Sequence, residues 1–186
     1  MDTAILLALQ SIRFDGLTQL MALISALGNH AFIWLALGVV MLLFPEKRST
    51  GMLVIAAVAV CYVASEIVLE PLVHRVRPCD AGIGVTAVMG VSHNGFSFPS
   101  GHSISSFASA MVIALMLGKR YGVPAFIGAF VIAFSRLFLG VHYPSDVVIS
   151  AAMGVLIGLL VVVVYNNFFA YRSSDRARPS GRHSRR

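Results

Sequence analysis

Apolar runs separated by short polar breaks dominate the chain, and several approach the length of about 20 residues that a helix needs to cross a bilayer. The clearest is Val147 to Tyr165, uncharged and closed by a tyrosine of the interfacial kind. Gly51 to Leu69 is another, interrupted late by Glu66, while Ser103 to Gly118 and Val123 to Leu139 are divided by Lys119-Arg120 and Pro124. Ala31 to Phe44 ends at Pro45, and Leu17 to Leu27 is bounded by Gly28-Asn29. Ala4 to Leu9 follows Asp2 with no basic residue before it, unlike a cleavable signal peptide, and reads as an interfacial helix or the start of the first span. The pattern predicts an all-α, polytopic membrane bundle of six spans, or of five if the segment before Gly28 only lies on the surface. Gly154 and Gly158 form a small-residue pair suited to close packing within the bundle. Ser103, Ser105, Ser106 and Ser109 read as packing surface of the fourth span, and Trp34 as a core or lipid-facing side chain.

Composition agrees: 58% of the 186 residues are hydrophobic and 12% charged, against about 25% charged in soluble domains. The mean hydropathy is +0.84. A net charge of +6 raises the question of nucleic acid, but six of the bases are arginines in the last 16 residues. The remainder holds eight bases against seven acids, with no basic face to bind nucleic acid. Residues 1–170 are therefore read as one membrane-embedded domain and 171–186 as a solvated, disordered extension that touches anionic lipid. Cys61 and Cys79 lie too far apart along one helix and its exit to bridge. Lys47-Arg48, Lys119-Arg120 and the tail all fall on one side of the predicted topology, which marks it as cytoplasmic. The expected location is the plasma (inner) membrane, with the loop from Pro78 to Pro99 and the turn around His142 on the outer face.

The remaining ionisable residues gather on that outer face. Arg75, Arg77, His102, Arg136, His142 and Asp146 all fall at the outer ends of the third to sixth spans. In Phe98-Pro99-Ser100-Gly101-His102-Ser103, Ser100 can cap a helix, Gly101 permits close approach of a ligand, and the helix start offers an anion site. His102 can then protonate a leaving oxygen; ordinary capping followed by an interfacial histidine fits the same residues. His142 and Asp146 are four apart, so the carboxylate can orient the imidazole and leave its other nitrogen as a nucleophile. An interfacial histidine beside a helix-starting aspartate is the plainer reading. Arg75 and Arg77 can anchor at the interface or fork onto phosphate oxygens. Taken together these residues describe phosphoryl transfer. Metal binding by His93, His102, His142 and Asp146 competes with it, against the surrounding arginines and without short ligand spacing. No metal and no cofactor is expected.

Arg77-Pro78, Pro99-Ser100-Gly101-His102 and Ser135-Arg136 with His142 and Asp146 resemble the three-part signature of the type 2 phosphatidic acid phosphatase superfamily, over roughly residues 66–150. The resemblance implies a six-helix membrane fold and metal-independent removal of phosphate from lipid phosphates or diphosphates. It assigns His142 as the nucleophile that forms a phosphohistidine, Asp146 as its orienting partner and His102 as the general acid. Arg77, Ser100, Gly101 and Arg136 would hold the phosphoryl oxygens, with Arg75 as a further cation at the substrate. The short chain is similar to the small bacterial members, which makes undecaprenyl diphosphate the first expected substrate. Phosphatidic acid, phosphatidylglycerol phosphate and lipid A are the alternatives.

One position departs from the signature. Where the family has a lysine, with six residues between it and the motif arginine, this chain has Glu70. Glu70 faces the same way as Arg77, two helical turns on. The expectation is that Glu70 pairs with His74 or Arg77, while Arg75 or His74 supplies the missing positive charge. Glu66 lies one turn deeper on the same face and could relay a proton. A catalytically weak, lipid-binding family member and a transporter are the other two classes. With His142 neutral and His102 protonated, both near the reference value of about 6.5, the rate should be bell-shaped in pH.

Overall fold

The computed structural model describes residues 1–88 and 95–176, with side chains described as far as residue 168. His93, the middle of the Ala81 to Phe98 loop and residues 177–186 of the arginine-rich tail lie outside the described residues. The α-helices are α1 (Asp2–Ser11), α2 (Asp15–Gly28), α3 (Phe32–Leu42), α4 (Arg48–Tyr62), α5 (Glu70–Val73), α6 (Gly101–Leu117), α7 (Lys119–Phe138) and α8 (Pro144–Arg176). A π-helical stretch, Val63–Leu69, joins α4 to α5 without interruption. Among the described residues there is no strand, as an all-α bundle requires. Four stretches are long and apolar enough to cross a membrane: Asp15–Leu42, Pro45–Val73, Lys119–Phe138 and Pro144–Phe168. Gly101–Leu117 is a shorter apolar helix.

The helix ends follow local chemistry. Ser100 caps α6 by accepting from Ser103 N–H, and Gly118, with φ of 77°, ends it in a conformation that costs glycine little. Pro144 opens α8 at the position where its missing N–H is of no consequence. α6 is the central helix, packed against α4, α7 and α8. The pairing of α6 with α8 rests on the two glycines: a Cβ on Gly158 would stand 2.6 Å from the Ala108 carbonyl oxygen, and one on Gly154 would strike the Ile104 carbonyl. These are contacts within the bundle, as the small-residue spacing predicts. Ser103, Ser106 and Ser109 are fully buried on α6, and Trp34 donates from Nε1 to Ser106 Oγ at 2.8 Å. Both cysteines are free.

The bundle has two polar ends. Lys47 Nζ lies 5.1 Å from the Tyr121 ring centroid, which places the Lys47-Arg48 and Lys119-Arg120 turns together. At the other end Arg75 donates to Ser145 Oγ at 2.9 Å, joining the exit of α5 to the start of α8. α1 lies at this second end. Gln10 Nε2 donates to Gly84 O at 3.2 Å, and Arg13 donates to Phe138 O and Thr86 O, both at 2.8 Å. Both termini of α2 lie here as well. Leu17 and Met21 pack with the buried Phe138 and Leu139, while Ser25 and Asn29 reach His102. The chain then enters α3 through His30 and Ala31, consecutive residues with φ of 48° and 56°. Among the described residues α2, α3, α4, α6, α7 and α8 are apolar helical segments, with α2 and α3 forming one candidate span.

Candidate active site

The N-terminal turn of α6 is pinned from two directions. Ser100 N–H donates to Ser150 Oγ of α8 at 2.8 Å, and Ser103 Oγ donates to Ser100 Oγ at 3.0 Å. His102, in the first turn, has Nε2 at 3.1 Å from both Ser25 O and Asn29 Oδ1. Both are acceptors, so Nε2 is the nitrogen that carries a proton. A Cβ on Gly28 would fall 2.6 Å from His102 Cδ2, so the end of α2 bears directly on the imidazole.

His142 sits in the turn between α7 and α8, which Gly140 makes possible with φ of 78°. Its Nδ1–H donates to Ser97 O at 2.7 Å, which leaves Nε2 with a lone pair toward Arg77 NH1, 3.3 Å away. His142 and Arg136 are each only 3% exposed. Burial is the main reason that His142 titrates well below its ordinary value, and the Arg136 and Arg77 guanidiniums push it further down. Arg77 also donates from Nε to Gly95 O at 3.2 Å and from NH1 to Val141 O at 3.0 Å; Arg136 donates to Ser25 Oγ at 2.5 Å.

Asp146 is placed differently from the expectation drawn from its spacing to His142. It accepts from Ser97 Oγ, from Tyr143 N–H at 3.0 Å and from Arg75 NH1. The carboxylate therefore reaches His142 through Ser97, whose hydroxyl it accepts from and whose carbonyl holds the imidazole. Arg75, expected at the substrate, bonds Asp146 and Ser145, lies 3.4 Å from Asp2 Oδ2, and covers the Tyr143 ring at 4.1 Å.

A cavity of about 410 Å³ gathers the rest. Arg77, Gly101, His102, Arg136 and His142 all line it, with Glu66 and Glu70. Ser100 and Asp146 are fully buried behind that wall. Of the two partners expected for Glu70, Arg77 lines the same cavity and feels its charge, while His74 packs edge-on against the Phe96 ring, 4.6 Å between centroids; Glu70 Oε1 also accepts from Phe96 N–H at 2.8 Å. Neither His74 nor Arg75 lines the cavity, so neither stands in for the family lysine. Among the described residues no group of three His, Cys, Asp or Glu comes together to hold a metal ion; His93 is not among them. Chemically, the cavity offers an imidazole lone pair, a second imidazole, two guanidiniums and a helix start to one bound anion. Sequence reasoning missed Ser97, Ser25 and Asn29. Ser97 adjoins the Phe98-Pro99 motif, but nothing in the order of residues marks the other two.

Known proteins resemble this chain over most of its length. The model of the PAP2 superfamily matches residues 50–170. The chain is 32% identical over 163 residues to a decaprenylphosphoryl-5-phosphoribose phosphatase of Mycobacterium tuberculosis, covering 86% of this chain and 88% of that one. An undecaprenyl-diphosphatase of Sulfolobus acidocaldarius is 26% identical over 148 residues, 80% of this chain and 70% of its own. The crystal structure of a transmembrane PAP2 type phosphatidylglycerolphosphate phosphatase from Bacillus subtilis superposes with a TM-score of 0.73 at 27% identity, covering 89% of this chain and 85% of that one.

Proposed function

This chain belongs to the PAP2 superfamily, and from that premise we propose that it is a membrane phosphatase that hydrolyses lipid phosphates through a phosphohistidine on His142. The observation that carries the reading is the convergence of His102, His142, Arg77 and Arg136 on one cavity. The phosphoryl group sits against the start of α6, with Gly101 and the two guanidiniums on its oxygens. His142 Nε2 attacks phosphorus, the ester P–O bond breaks, and the departing oxygen takes a proton from His102. Water then attacks the N–P bond, giving its proton to His102 and releasing inorganic phosphate and free His142. The guanidiniums supply the positive charge that a metal ion would otherwise bring, so hydrolysis is expected to persist in chelator. Asp146 and Ser97 position His142, and Ser100 holds the helix start; Arg75 holds Asp146 and does not contact substrate.

Isoprenoid and glycerolipid phosphates both suit a site at one end of a membrane bundle. The clustering of Lys47 and Lys119 at the opposite end supports an outer-face site and a cytoplasmic C-terminus. The test is phosphate release by purified protein in detergent with chelator, from undecaprenyl diphosphate, phosphatidic acid, phosphatidylglycerol phosphate and lipid A side by side. Release from at least one is expected. Release from none, or transport into sealed vesicles without release, overturns the proposal.

Two further outcomes follow from the geometry. Because the pKa of His142 is depressed, its neutral form persists as pH falls past about 6.5, and the acid limb of kcat/KM lies below that value. Measuring kcat/KM from about pH 4 to 9 checks this; an acid limb at or above 6.5 removes His142 as a neutral nucleophile. Ser97→Ala cuts the link between Asp146 and the segment that holds His142, and should lower kcat roughly tenfold with little change in KM.

A further inference from the structure

The cavity that holds the arginines and histidines also holds two carboxylates, and the site chemistry described so far uses neither. Both arise from the π-helical stretch and its exit: Glu66 within Val63–Leu69, and Glu70 at the first residue of α5. Wide turns of this kind are frequent at functional sites. Glu66 reaches the start of α6, where a Cβ on Gly101 would stand 3.2 Å from its Oε1. Glu70 stands over Gly95 and accepts from Phe96 N–H at 2.8 Å through Oε1. The two side chains are close enough to interact with one another.

A phosphate held by Gly101, Arg77 and Arg136 brings whatever is esterified to it against this acidic pair. Two kinds of neighbour can be told apart there. A second phosphate brings its charge up against carboxylates, and is repelled. A hydroxyl group meets acceptor oxygens with no donor of their own when ionised, and is held. A hydroxyl on a sugar or glycerol suits this pair because a carboxylate oxygen can accept from it.

Building on the phosphatase reading above, we propose that Glu66 and Glu70 are specificity determinants that select a lipid-linked phosphomonoester of a polyol, with a free hydroxyl within a few bonds of the ester, and disfavour a diphosphate. Glycerol headgroups and lipid-linked sugars share this chemistry. The selection follows from the juxtaposition of the pair with the anion site in one cavity, and replaces undecaprenyl diphosphate as the preferred substrate.

The experiment measures kcat/KM of the full-length protein in detergent on four substrates. Phosphatidylglycerol phosphate and a polyprenylphosphoryl 5-phosphoribose carry the free hydroxyl, phosphatidic acid lacks it, and undecaprenyl diphosphate presents the second phosphate. Wild type should favour at least one polyol ester over both others by about tenfold or more, and the better of the two polyol esters identifies the source. Glu66→Gln and Glu70→Gln should each shrink that ratio, and Glu70→Lys should move it toward the diphosphate. A wild-type preference for the diphosphate or for phosphatidic acid overturns the proposal without variants. A ratio unchanged in both glutamine variants also overturns it, with thermal unfolding confirming that they are folded. Release from none of the four overturns the phosphatase reading underneath.

Discussion

His142→Ala should lower phosphate release by about 10⁴-fold or more, the scale seen when a covalent nucleophile is removed. The geometry leaves no substitute. Nδ1–H is committed to Ser97 O, Nε2 of His142 stands at the cavity beside Arg77, and His102 is tied through Nε2 to Ser25 O and Asn29 Oδ1. A water molecule in the vacated volume would lack both the pre-set distance to phosphorus and the nucleophilicity of the imidazole. Rapid quenching of wild type with a phosphorus-labelled substrate should trap label on the protein that is stable in base and lost in acid. The variant should show none while keeping its thermal transition. Label retained by folded His142→Ala would place the nucleophile elsewhere.

His102→Ala carries the second large effect, and its size depends on the leaving group. For an alkyl ester the departing oxygen is strongly basic, and loss of a positioned acid should cost roughly 10²–10³-fold in kcat. A nitrophenyl phosphate expels an anion that needs no proton, so the same variant should lose far less on that substrate. Side-by-side rates on the two esters check the role; equal losses would mean that His102 holds phosphate and does not protonate. The support for His102 comes from α2, through Ser25 O, Asn29 Oδ1 and the close approach of Gly28. The placement of His102 therefore depends on a helix far from it in the chain.

Particular residues show how much of this was readable in advance. The Pro99 to Ser103 segment announced a capped helix start because a cap is a contact between near neighbours, and the structure forms it. The glycines of α8 announced close packing, which α6 accepts. Arg75 and Arg77 looked alike, two residues apart at a helix exit. One lines the cavity and the other is held by Asp146, in the non-helical stretch that follows His74, whose φ of 49° ends α5. The His142 to Asp146 spacing looked like a direct pair, and a serine 45 residues away in sequence stands between them. For Glu70 the departure from the family pattern was visible, but its bond to Phe96 N–H was not.

The order of residues by itself determined the apolar helices, their polar ends and the residue types available for chemistry, since hydropathy and capping act within a turn or two of helix. Only the tertiary structure decided which of several similar polar groups face the cavity, that the end of α2 bears on His102, and that Ser97 links Asp146 to His142. Those outcomes depend on how α6 seats between α4, α7 and α8. Hydrogen bonds of about 3 Å discriminate among neighbours that a linear spacing treats as equivalent.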